Sequence, residues 1–182
     1  MSNVRRKVFI SHYRGDLVEV EKFISDFNDV FIPKVLGAND NYDFIQSNDT
    51  DYVMRCIRAK YLGDSTVTIV LLGNCTHSRR YVDWEIKSSL RQGQEYIPNG
   101  LMSIVLPSQN NSAHLPPRFS DNWSKGHNNC YARYWPYPNS AKTLSDWIED
   151  AYQARTSRKH LIVNSQEMMK YSAKCKICGV TH

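Results

Sequence analysis

Residues 64–91 read DSTVTIVLLGNCTHSRRYVDWEIKSSLR, and the fold turns on this stretch. Thr66 to Leu72 is an unbroken β-branched and aliphatic run, which predicts a strand buried on both faces of a sheet. Gly73 to His77 is a polar turn, and Ser78 is placed to cap a helix beginning at Arg79. In that helix Val82, Ile86 and Leu90 share one face, at about 3.6 residues per turn. Glu85 stands beside this apolar stripe, near the helix start and above the end of the strand. In open α/β sheets that end borders the crevice where ligands bind, which makes Glu85 the first candidate site residue. Two structural readings compete. An acid in an early turn is favoured by the helix dipole, by about 0.3–1 kcal/mol, and Glu85 could pair with Arg79 or Arg80 at the surface.

On the N-terminal side, Lys7 to Ser11 (KVFIS) predicts the first strand, with HYRGD at 12–16 as its turn. Leu17 to Val30 follows as an amphipathic helix with Val20, Phe23, Ile24 and Phe27 inward. Phe31 to Leu36 predicts a short strand that Pro33 consigns to an edge. Residues 37–48 (GANDNYDFIQSN) form a long polar loop, and Asp49 caps a helix to about Leu62 with Val53, Ile57 and Tyr61 inward. On the C-terminal side, Leu101 to Leu106 predicts a fourth strand stopped by Pro107. Residues 108–139 are polar, with a fifth short strand around Tyr131 to Trp135. Thr143 to Arg158 predicts a last helix through Leu144, Trp147, Ile148 and Tyr152.

Strands alternating with helices imply an α/β fold, a parallel sheet covered by helices on both faces through right-handed crossovers. In the flavodoxin-like order 2-1-3-4-5 the switch point falls between strands one and three. Their ends, His12-Tyr13-Arg14 and Gly73-Asn74-Cys75, then converge with Glu85 and the 37–48 loop on one crevice.

A length of 182 residues suits one domain with a short appendage, expected as a domain at 1–163 and a tail at 164–182. Apolar residues at 41% and charged residues at 23% are ordinary for a soluble globular protein. No apolar run is long enough to span a membrane, and no signal-peptide pattern opens the chain. Five cysteines without framework spacing suggest a reducing, cytoplasmic setting, in which the sequons at Asn74 and Asn122 are chance matches. The net charge of +5 is spread over 5–7, 79–80 and 155–159 without aromatic interleaving, which argues against nucleic acid. A basic surface also suits small anionic ligands.

The chain has no G-x-G-x-x-G, no P-loop and no G-x-S-x-G, so it has no standard phosphate cradle or nucleophile elbow. Arg14 and Gly15 could still hold a phosphate where the first helix opens. His12 could act as a base, or simply be a satisfied structural group.

Together, VFISHYRGD and TVTIVLLGNCTHSRRYVDWEIKSSL resemble the TIR domain, in particular the TIR proteins of bacterial Thoeris antiphage defence. The shared pattern is a strand ending in a His-Tyr pair, a V-T-x-V-L-x-G strand and an R-R-[WY]-V-x-x-E-I helix. The resemblance spans residues 5 to 107. It implies cleavage of NAD⁺, with Glu85 at the position of the family's catalytic glutamate. NAD⁺ is then substrate, and no cofactor is expected. Nicotinamide leaves the cationic pyridinium as a neutral molecule, so one carboxylate suffices where ordinary glycosides need two. Water capture gives ADP-ribose, and capture by the adenosine half gives a cyclic signal for a downstream effector. By the same resemblance Ser11, His12 and Tyr13 line the floor, Arg14 or Asp16 the phosphate side, and Trp84 could stack a base. Gly37, Ala38, Asn39 and Gly73 border the pocket. The 37–48 loop sits where TIR domains carry the loop that gates the pocket and meets a neighbouring protomer, so self-association is expected. It lacks the usual R-D-x-x-P-G pattern. A non-catalytic TIR scaffold and a flavodoxin-like small-ligand module are the rival readings.

The segment His160 to His182 ends in CKICGVTH. Cys175-x-x-Cys178-Gly with His182 is half of a zinc pattern, for which His160, Cys130 or a second chain could supply a fourth ligand. The reading adopted is free thiols on a mobile tail dispensable for catalysis, with no metal.

Overall fold

The run at 66–72 lies in the middle of a five-stranded sheet of order β2-β1-β3-β4-β5, with every pairing parallel. The structure is a computed structural model describing residues 4–35, 49–93 and 96–182, the side chains at 50, 60 and 61 excepted. In chain order the elements are β1 (Lys7–Ser11), α1 (Leu17–Asp26), β2 (Ile32–Val35), α2 (Thr50–Ile57) and β3 (Val67–Leu72). There follow α3 (Arg80–Ser89), β4 (Gly100–Val105), α4 (Pro117–Asp121), β5 (Arg133–Trp135) and α5 (Ala141–Ser157). The expected order, with its switch point between β1 and β3, is the observed one. Pro33, which cannot donate to a ladder, sits on the edge strand β2 as expected.

The period-two alternation of strand side chains sorts the core into two layers. Val8, Ile10, Val67, Ile69, Leu71, Met102 and Ile104 face α1 and α5, meeting Val20, Phe23, Leu144 and Ile148. Val70, Leu72, Leu101 and Val105 face the other way, against Val82, Ile86 and Leu90 of α3. Phe9 joins Val53 and Ile57 of α2 on that second side. Gly100 is required for the first layer, because a Cβ there would fall 1.9 Å from the Ala151 carbonyl oxygen, so α5 could not lie as close to β4.

Several boundaries differ from expectation for local reasons. Helix α1 ends at Asp26 rather than Val30, since Asn28-Asp29 favours a turn, yet Phe27 still packs into the core. Asp49 caps α2 as expected, accepting from the amides of Asp51 and Tyr52. Beyond Ile57 that helix continues as a π-turn, Arg58–Leu62. The inward placement expected for the Tyr61 side chain lies outside the described residues. Ser78 does not cap α3. It belongs to a short 3₁₀ turn and donates to the Cys75 carbonyl at 2.9 Å, so the helix starts at Arg80.

The 164–182 segment is not a free tail but packs along α3. Its anchor is Arg118, fully buried on α4. The guanidinium donates to both Asp83 carboxylate oxygens, at 2.8 and 3.3 Å, to Asn164 Oδ1 at 3.1 Å, and to the carbonyls of Gln166 and Glu167 at 3.0 and 2.9 Å. Asp83 in turn accepts from the Met169 amide at 2.9 Å. Removing one partner of such a pair strands a buried charge, which costs about 3–5 kcal/mol. We therefore expect Arg118→Met to lower unfolding free energy by about that much in urea titrations. Adding Asp83→Leu should recover most of the loss, because no unpaired charge then remains.

Candidate functional site

Helix α3 sets the position of Glu85 through a chain of buried hydroxyls. Ser89 Oγ donates to the Glu85 carbonyl at 2.9 Å and lies 2.7 Å from Thr68 Oγ1 on β3, which accepts from Asn99 Nδ2 at 3.2 Å. The Glu85 side chain then reaches the carboxyl end of β1, where Ser11 Oγ donates to its Oε2 at 2.6 Å. Glu85 is only 4% exposed. Burial drives its carboxyl up to about 8, and the Ser11 hydrogen bond only partly opposes this. Neither bland reading of the sequence survives, since the group is neither a solvated first-turn acid nor the partner of a surface arginine.

The carboxyl opens on a cleft of about 440 Å³ at the β1–β3 switch point. His12, Tyr13 and Arg14 from the end of β1 form one side, and Arg79, Arg80, Tyr81 and Val82 at the start of α3 form another. The third side, Tyr171, Ser172, Thr181 and His182, comes from the C-terminal segment. Among the described residues Glu85 is the only acid in this lining, which also carries Arg14, Arg79 and Arg80. The Arg79 guanidinium lies over the Tyr13 ring, 3.8 Å from its centroid, and His182 packs on that ring at 5.6 Å. Burial lowers the pKa of His12, against a backbone hydrogen bond with Ile10, so the imidazole is neutral near pH 7. A larger depression of about 530 Å³, lined by Leu90 to Gln92 and 162–165, has Arg91 as its one ionisable side chain among the described residues.

Of the residues singled out in the sequence, the structure gathers Ser11, His12, Tyr13, Arg14 and Glu85. Asp16 and Gly73 do not line the cleft. They pack on each other, since a Cβ on Gly73 would fall 2.0 Å from Asp16 Oδ2. Burial and the charge of Glu19 raise Asp16 to about 6, opposed by Thr76 and Arg79. Trp84 is core rather than a base-stacking platform. It packs with Phe9, Val53, Ile57 and Leu62, and its indole donates to the Met169 carbonyl at 2.8 Å. Gly37, Ala38 and Asn39, with the rest of the 37–48 loop, lie outside the described residues. Sequence reasoning passed over the RR pair as cleft residues although it stood within the quoted motif. It had no signal for the wall at 171–172 and 181–182.

A parallel 2-1-3-4-5 sheet with this glutamate-bearing cleft at its switch point defines a TIR-like α/β domain. Residues 9–111, more than half of the chain, match the family described as Thoeris protein ThsB, TIR-like domain. The protein belongs to that family and carries a defence-related TIR domain. No curated protein gives a significant match. Among the described residues no helix is long and apolar enough to cross a membrane.

The raised carboxyl has a consequence for stability. Between its ordinary value of 4.5 and about 8, the folded chain holds a proton that the unfolded chain has released. Stability therefore falls as pH climbs through that window. Glu85→Gln removes this slope, so its melting temperature should exceed that of the wild type by a margin that widens from about pH 5 to about pH 9. Thermal denaturation at the two pH values measures the margin.

Proposed function

We propose that the cleft binds NAD⁺ and breaks the bond between nicotinamide and ribose. The observation that carries this reading is one buried, serine-bonded carboxyl at the switch point, in a cleft whose other charged lining among the described residues is Arg14, Arg79 and Arg80. Such a site suits a substrate that is cationic at its reacting end and anionic in its middle. Arg14, Arg79 and Arg80 would take the pyrophosphate, as guanidinium groups do well. Glu85 would lie beside the ribose that carries the pyridinium.

The raised carboxyl fits this chemistry. In the free cleft Glu85 holds its proton near neutral pH, which spares the cost of a bare buried charge. An entering pyridinium favours the ionised form, so binding expels the proton and leaves a cation facing a carboxylate. As the C1′–N bond breaks, its electron pair leaves with neutral nicotinamide and positive charge moves onto the ribose. A fixed carboxylate in a water-poor site stabilises that charge. Water then yields ADP-ribose and a proton, and attack by the adenosine half yields a cyclic product. Self-association and an effector that senses the product complete the proposal, both resting on the TIR resemblance.

The test is release of free nicotinamide from NAD⁺ by the purified chain, repeated with phage lysate if the resting enzyme is silent. Glu85→Gln should lower turnover by about 10²–10³. In the active protein kcat/KM should rise with pH through a midpoint near 8, the value for Glu85 in the free cleft, and level off above it. The midpoint for kcat should lie lower, because bound pyridinium favours the carboxylate. Near wild-type turnover by Glu85→Gln would end the assignment.

A further inference from the structure

The C-terminal segment brings together a set of side chains that the cleft chemistry does not use. Residues 174–181 form a tight hairpin. Lys174 bridges Thr181, Cys175 N donates to Val180 O at 2.9 Å, and Gly179 N donates to Cys175 O at 3.0 Å, with Gly179 at φ +73°. This turn aims the Ile177 and Cys178 amides at Cys175 Sγ, at 3.4 and 3.5 Å. Backbone N–H groups aimed at a sulfur in this way stabilise a thiolate. The hairpin is itself docked, because Ala173 N donates to Ser78 O at 2.8 Å and Lys176 N to His77 Nε2 at 3.0 Å.

That docking presents the hairpin to the turn after β3, where Cys75 waits. Cys75 Sγ lies 3.5 Å from Cys178 Sγ and 3.4 Å from His182 Nε2, and the last two atoms are 3.3 Å apart. Cys175 Sγ lies against the same turn, donating to the Asn74 carbonyl at 3.4 Å. It stands just outside the group of three, which it can join as fourth ligand by turning from that carbonyl to an ion. A tetrahedral zinc ion with bonds of about 2.3 Å to sulfur and 2.0–2.1 Å to nitrogen sets its ligand atoms roughly 3.5–3.8 Å apart. The separations among Cys75, Cys178 and His182 match those edges within a few tenths of an ångström.

We propose that Cys75, Cys175, Cys178 and His182 bind one Zn²⁺ in a closed structural site that fastens the C-terminal segment to the turn after β3. Three thiolates and an imidazole are the soft, tetrahedral donor set that zinc prefers over magnesium, calcium or manganese. All four positions are filled by protein, so the ion activates no water. Its effect is mechanical. Thr181 and His182 line the cleft beside Glu85, and Tyr171 and Ser172 continue the same wall. The ion holds that wall in place. This last statement rests on the NAD⁺ reading of the cleft, whereas the ion itself does not.

The experiment uses the full chain, expressed with zinc in the medium and purified without chelator. Elemental analysis should find about one zinc per chain in the wild type and in Cys56→Ser, whose thiol lies outside the cluster. Cys75→Ser and Cys178→Ser should lose it. Replacing zinc with cobalt(II) in the wild type should give thiolate-to-cobalt charge transfer and the intense visible bands of a tetrahedral site, a readout that no variant's misfolding can affect. Chelation should then speed amide exchange in residues 171–182, read by mass spectrometry. A metal-free wild type after zinc supplementation, full zinc retention by Cys75→Ser, an octahedral cobalt spectrum, or a native disulfide among these cysteines would each overturn the site. Failure to cleave NAD⁺ would leave the zinc result untouched and count only against the reading of the cleft.

Discussion

The buried pair of Arg118 and Asp83 is the constraint on which the layout depends. An arginine with no exposure must satisfy every guanidinium hydrogen in place, and here it does so with Asp83, Asn164, Gln166 and Glu167. Those partners come from α3 and from the segment that passes over it. Taking two charges out of water is costly, and only near-complete pairing offsets it. The pair therefore forces the C-terminal segment along α3, two residues from Glu85 in sequence. Trp84 extends the contact by covering Phe9 and Ile57 on one side and donating to Met169 on the other. Asp83, Trp84 and Glu85 thus point three ways, to the clamp, to the core and to the cleft.

Burial of Glu85 is the price of its position. A carboxyl reaching from α3 to the end of β1 cannot stay in water, and Ser11 alone does not replace lost hydration. The resulting reluctance to ionise is a liability for an empty protein and an advantage for one awaiting a cation. On the proposed reading, stability and activity make opposite demands on the same atom.

Much of this was legible in the sequence because it is local. The run VTIVLL cannot be satisfied on a surface, Pro33 cannot sit in mid-sheet, and an acid beside the apolar stripe of the third helix stands near the β1–β3 switch point once the strand order is known. What was not legible is what arrives from far away. Periodicity places Trp84 beside an apolar stripe, but only Met169, 85 positions on, makes it core. Asp16 reads as a phosphate-side residue until Gly73 is seen to leave room for its carboxylate and nothing else. Cys75 lies about a hundred residues from the cysteine and histidine it meets, beyond the reach of a local pattern that offers His160 and Cys130 as the fourth ligand. Ser78 failed as a cap for a nearer reason, since it closes the 3₁₀ turn at 76–78 and the helix starts one residue later, with Arg79 at its N-cap.

The cleft has walls of different origin. Its floor and the start of α3 fall within residues 9–111, the part shared with the family, whereas Tyr171, Ser172, Thr181 and His182 lie beyond it. Glu85 and the side chains of that third wall therefore stand on separate stretches of chain. Substitution at 171–182 can reshape what enters without disturbing β1, β3 or Glu85. Relatives that share residues 9–111 and differ beyond them would keep Glu85 in place and vary in the molecules the cleft admits.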